Sequence, residues 1–126
     1  QQSWLDQTPR LEMEAILRIM SKAPGGRYIV LHALPSGPWA QQAARSLKEV
    51  DVLFDTVYGT GIPIGIVNAY PLTEAIKKFG LERFAFGSAT PFQDYISHLL
   101  RIETLEGIGS EGMEAIWSGN ARRIIS

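Results

Sequence analysis

Apolar residues along this chain fall into two alternating rhythms, one at helical spacing and one in short unbroken runs. Thr8-Pro9 offers a hydroxyl N-cap followed by proline at the first helical position, and Leu11, Ala15, Ile16, Ile19 and Met20 then recur as one helical stripe. Pro24-Gly25-Gly26 ends that helix. Tyr28-Ile29-Val30-Leu31-His32-Ala33 is a nearly continuous apolar run with β-branched residues, the pattern of a strand buried on both faces and central in a parallel sheet. Pro35-Ser36-Gly37-Pro38 turns the chain into a helix from Trp39 to Leu47, and a second strand is expected from Val50 to Val57. Beyond a glycine-rich stretch, Leu72, Ala75, Ile76 and Phe79 form the apolar stripe of a third helix, with Gly80 placed to end it.

Arg83 to Phe86 reads as a third strand. Ile96, Leu99 and Leu100 mark a helix within Phe92 to Leu105, Ser110 is expected to cap a further helix carrying Met113, Ile116 and Trp117, and Asn120 to Ile125 form the last helical turns. Strands separated by helical crossovers are the signature of parallel βαβ construction, so the expected class is α/β. There is no internal repeat beyond this rhythm and no low-complexity tail.

A length of 126 residues, 45% of them hydrophobic, predicts a single domain spanning 1–126. Twelve Lys and Arg against 13 Asp and Glu give a net charge of −1, and the two signs are interspersed. Without a basic stripe to neutralise phosphates, nucleic acid is not expected as a partner. The absence of cysteine excludes disulfides, thiolate metal sites and a cysteine nucleophile, and suits a cytoplasmic protein. The uncharged stretch from Thr56 to Thr73 is interrupted by Gly59, Gly61, Pro63, Gly65, Asn68 and Pro71, so no membrane helix is expected there. Gln1-Gln2-Ser3-Trp4 carries no secretory signal, and the lack of an initiator Met leaves room for more chain upstream.

Two short motifs narrow the reading. The third strand continues as Phe84-Ala85-Phe86-Gly87-Ser88-Ala89-Thr90-Pro91-Phe92, and the chain closes on Ser118-Gly119-Asn120-Ala121-Arg122-Arg123-Ile124-Ile125. Together they resemble the closing segment of the metal-dependent amidohydrolase superfamily, in the branch with the carboxymuconate-semialdehyde-type decarboxylases. There the eighth strand ends in Phe-Gly-Ser-Asp-x-Pro and the final helix begins Gly-Asn-Ala. Tyr28 to Ala33 resembles the sixth strand, which ends in a histidine, and Val52 to Thr56 resembles the seventh. The resemblance covers essentially the whole chain. It implies about three strands, with flanking helices, of a (β/α)8 TIM-type barrel whose active site lies at the C-terminal strand ends, where His32, Asp55 and Ser88 would meet.

In that family the resemblance also implies a divalent metal such as zinc, held by a His-x-His pair on the first strand, a histidine on the fifth and the aspartate after Gly-Ser on the eighth. Here Ala89 stands at the aspartate position and no His-x-His pair exists. With only His32 and His98, this chain alone is expected to bind no metal.

Each candidate also has an ordinary structural reading. His32 is either a hydrogen-bonded strand-end residue or, as the resemblance implies, the catalytic acid/base. Asp55 is the second catalytic candidate, against an ordinary role as a cap or loop acceptor. Ser88 and Thr90 are candidate substrate-binding hydroxyls. A Ser88–His32–Asp55 triad lacks the Gly-x-Ser-x-Gly elbow that would expose the nucleophile. Gly59, Gly61 and Gly65 do not match the dinucleotide spacing, and Pro63 opposes phosphate docking, so that stretch is expected to be a loop over the mouth. His98 is expected at the boundary of its helix, and Asn120 as a helix cap.

Three βα units cannot close an eight-stranded barrel, so the first and last strands are expected to expose unpaired edges. A missing N-terminal portion, a second chain or homo-oligomerisation would have to cover them. The functional expectation is thus the C-terminal part of an amidohydrolase-like hydrolase or decarboxylase acting on a small molecule. The alternative is a non-catalytic, metal-free α/β domain that binds a small molecule or a protein partner.

Overall fold

The computed structural model describes residues 13–31, 39–57, 69–88 and 95–126. In chain order these form α1 (Met13–Lys22), β1 (Arg27–Val30), α2 (Trp39–Ser46), β2 (Asp51–Asp55), α3 (Tyr70–Phe79), a 3-10 turn (Leu81–Arg83), β3 (Phe84–Ala85), α4 (Tyr95–Glu103) and α5 (Gly109–Glu114). A π-helical turn (Ala115–Gly119) then leads directly into α6 (Asn120–Ile125). The helix opening at Thr8-Pro9, the turn at Pro35 to Pro38 and the glycine-rich stretch from Tyr58 to Gly65 lie outside the described residues.

The three strands form one parallel sheet in the order β1-β2-β3. The register pairs Val30 with Phe54 and Phe54 with Phe84, and because side chains alternate across a strand, these residues share one face. Ala43 and Leu47 of α2 and the segment after it, Leu72, Ala75 and Phe79 of α3, Met20 of α1 and Ile102 of α4 close over that face as the main core. At its centre Phe54 meets the Phe79 ring edge-on and the Phe84 ring at a tilt, each with centroids 5.9 Å apart. Both crossover helices therefore cover the same face, as parallel crossovers of one hand require. Leu53 and Ala85 point the other way, against Ile124 and Ala121 of α6.

Local sequence explains the element ends. Gly80, at φ 95°, stops α3 in backbone that a side chain would resist, and its N–H donates to Ile76 O at 2.9 Å. Ser110 lies inside α5, whose N-cap position is Ile108 with no side-chain cap hydrogen bond, so the hydroxyl expected to start that helix does not.

Two further expectations change. Among the described residues β1 is an edge strand and not a central one, and it is buried on one face and not on both: Ile29 and Leu31 are 53% and 64% exposed, while Tyr28 and Val30 meet the main core. Asn120 is not an end cap. It is buried in a continuous helical run, and its Nδ2 donates to Leu81 O at 2.9 Å and Phe84 O at 2.8 Å.

Arginines hold the N-terminal end of the sheet. Arg83 donates to Val50 O at 2.9 Å and Leu47 O at 2.8 Å, Arg27 to Ile124 O at 3.0 Å, and Arg123 to Asp51 at 2.7 Å. The first two satisfy backbone carbonyls that end α2 and α6. The Arg123–Asp51 pair is partly exposed and contributes less, up to about 1 kcal/mol. No described helix is long and apolar enough to cross a membrane. Phe54→Ala removes the ring that joins α3 to β3, and urea unfolding should show a loss of about 3–5 kcal/mol, whereas Ile29→Ala at the exposed edge should cost well under half of that.

Candidate functional site

The opposite end of the sheet, where β2 and β3 finish, carries polar groups in place of the arginine clamps. Asp55 is the last residue of β2 and alternates onto the same face as Leu53 and Ala85, yet it is only 8% exposed. A carboxylate this buried is tolerated only with partners, and Asp55 has them. Thr56, fully buried, then ties the two strand ends together twice. Its N–H donates to Ala85 O at 3.0 Å, extending the ladder by one rung, and its Oγ1 accepts from Gly87 N–H at 3.2 Å.

The second bond brings the Gly87-Ser88 corner against Asp55. A Cβ at Gly87 would lie 3.0 Å from Val57 Cγ2, 3.1 Å from Asp55 Cβ and 3.2 Å from Asp55 Oδ2. Gly87 is not among the glycines with positive φ, so space and not backbone freedom demands glycine here. Phe86, one residue before, donates its N–H to Ile116 O at 2.9 Å, and its ring packs on Trp117 at 4.6 Å between centroids. The C-terminal helical segment thus braces the corner from behind while Thr56 holds it from the side.

Of the four residues singled out by sequence, Asp55 and Ser88 are brought to the same end of the sheet. His32 and Thr90 lie outside the described residues, as does Ala89. His32 follows β1 by two residues in sequence. Among the described residues no group of three or more His, Cys, Asp or Glu side chains could hold a metal ion.

A second buried polar pair was missed by the sequence reading. His98 and Arg101 of α4 are 4% and 1% exposed, and Arg101 Nη1 stands 3.1 Å from His98 Nδ1. A guanidinium can only donate, so Nδ1 is the acceptor and the imidazole carries its proton on Nε2. His98 is thus a core residue and not a boundary one. The signal was available: His98, Arg101, Ile102 and Leu105 recur at three- and four-residue spacing, so the two polar residues share the face that Ile102 and Leu105 bury in the main core.

No family model, curated protein or solved structure matches the chain. Functional inference therefore rests on the residues themselves.

Two substitutions test this corner. Thr56→Val keeps the shape but leaves the Gly87 N–H without its acceptor, and should cost about 1–3 kcal/mol with faster exchange of the Gly87 amide. Gly87→Ala forces Val57 and Asp55 apart and should cost about 1–3 kcal/mol by overpacking; a crystal structure of that variant with an unmoved Asp55 would show that the corner is looser than described.

Proposed function

We propose that the chain is the C-terminal portion of an amidohydrolase-like (β/α)8 barrel, a hydrolase or decarboxylase acting on a small molecule at the C-terminal ends of its strands. The observation that carries this reading is the meeting of the buried Asp55 carboxylate with the Gly87-Ser88 corner at one end of a parallel sheet. Parallel α/β sheets place their sites at that end, and a buried carboxylate is costly to keep for stability alone. The opposite end, clamped by Arg83, Arg27 and Arg123, is built for cohesion.

In this reading His32 moves a proton to or from the substrate, a task suited to an imidazole near neutral pH. Asp55 accepts a hydrogen bond from the substrate or orients His32. Ser88 and Thr90 donate their hydroxyls to a substrate carboxylate or carbonyl. The parent family's divalent metal, such as zinc, supplies Lewis-acid chemistry when bound, but the residues here do not fit it: Ala89 offers a methyl where a carboxylate is needed, and the described residues assemble no donor cluster. Any such ion would take its donors from elsewhere in a fuller barrel, contributed by an N-terminal portion or by another copy.

Ala89 specifically favours a second reading, a non-catalytic and metal-free α/β domain that keeps the strand-end mouth to bind a small molecule or a protein partner. Native mass and elemental analysis after dialysis separate the two, since the second predicts a metal-free protein that binds without turnover. For the first, turnover is measured on a panel of small carboxylates, amides and lactones. His32→Ala and Asp55→Asn should each lower kcat by about 10²–10⁴-fold, measured under conditions where urea curves show each variant folded, since replacing the buried Asp55 carboxylate costs stability as well. A rate indifferent to both substitutions would remove this mouth from the chemistry.

A further inference from the structure

The outer edge of β3 is already occupied. Ala85 turns its carbonyl to β2, where it accepts from Thr56 N–H, so the backbone groups of its neighbours Phe84 and Phe86 point away from the sheet. These are the groups an added strand would use. Instead, Asn120 Nδ2 donates to Phe84 O at 2.8 Å and Ile116 O accepts from Phe86 N–H at 2.9 Å. A side-chain amide and a main-chain carbonyl from one helical run thus supply a donor and an acceptor in the places of a neighbouring strand.

The spacing suits the task. The two outward strand groups, Phe84 O and Phe86 N–H, flank Ala85, and the Ile116 carbonyl and Asn120 side chain lie about one helical turn apart. The π turn contributes the fine adjustment: Asn120 N–H donates five residues back to Ala115 O, one position wider than in an α-helix, while the Ile116 carbonyl reaches out to the strand.

At the other side of the sheet, no described strand pairs with the far edge of β1. Arg27 at the start of this edge is engaged with Ile124 O, and beyond it Ile29 and Leu31 are apolar and exposed, with neither proline nor lysine between them. A free β3 edge and a free β1 edge would be complementary between copies, in a head-to-tail pairing that has no reason to close.

We propose that segment 115–126 is an edge strap: through Asn120 and Ile116 it occupies the outer edge of β3 and excludes the β1 strand of a second copy. The strap ends the sheet at β3 and leaves strand addition only at β1. A sheet that ends at β3 cannot add a further barrel strand at that edge, so the strap does not rest on the proposed function and stands against its closed-barrel form, while leaving the strand-end mouth itself in place.

Asn120→Ala removes the amide from Leu81 O and Phe84 O together. By sedimentation velocity over a concentration series, the folded variant should show a weight-average mass that grows with concentration, about twofold or more above wild type at the highest loading. Adding Ile29→Lys, which places a charge on the exposed edge strand, should return the mass to the wild-type value. A folded Asn120→Ala protein of wild-type mass overturns the proposal, as does association that Ile29→Lys leaves intact. Should Asn120→Ala fail to fold, the comparison is made between wild type and the single Ile29→Lys variant in sub-denaturing urea at which exchange of the Phe86 amide shows that its bond to Ile116 O has opened. Association of the wild type alone supports the strap, and equal association of both overturns it.

Discussion

A parallel strand bonded on both sides and buried on both faces needs cover from two directions, and the molecule is organised around one such strand. Val52, Leu53 and Phe54 of β2 are nearly inaccessible to water. One face is covered by the crossover helices α2 and α3 through the Phe54, Phe79 and Phe84 rings, the other by Ile124 and Ala121 of α6. Without both covers the strand would expose apolar side chains, and without both neighbours it would leave buried backbone groups unpaired. The position of Asp55 follows from this constraint, because the strand that carries it cannot slip by one residue without turning Phe54 out of the core.

The two ends of the sheet are held by different chemistry. At the N-terminal end, arginines donate to carbonyls that helices leave unsatisfied, which fixes where α2 and α6 finish. At the C-terminal end, Thr56 does the binding with its own backbone and hydroxyl, leaving the carboxylate of Asp55 and the Gly87-Ser88 corner side by side. A rigid base and a polar mouth are the division of labour that parallel α/β sheets use when they carry chemistry. The His98–Arg101 pair on α4 belongs to the cohesive part: both side chains are buried, and Arg101 Nη1 donates to His98 Nδ1 there.

The C-terminal helical run connects these parts. Ile124 covers Leu53 and Ala85, Asn120 binds the first strand carbonyl of β3, and Ile116 binds the N–H of the residue leading into Gly87. One continuous element therefore sets the lower face of the sheet, its outer edge and the approach to the mouth. A π turn within it is consistent with that load, since a regular α-helix would bond each carbonyl internally.

The amino-acid sequence alone determined the α/β alternation, the parallel construction and most of the core, because period and turn chemistry are local properties: the Leu72, Ala75 and Phe79 stripe and the stop at Gly80 are legible without coordinates. The family resemblance, and not period or spacing, singled out His32, Asp55, Ser88 and Thr90, of which Asp55 and Ser88 fall among the described residues. Tertiary structure alone decided that β1 is buried on one face only among the described residues, since burial of a run such as Tyr28 to Leu31 depends on which neighbours arrive and not on the run itself. It likewise decided that Asn120 serves a distant strand and not its own helix end, and that Gly87 lies close against Val57 and Asp55. Both are contacts between segments thirty or more residues apart, and no local period encodes them.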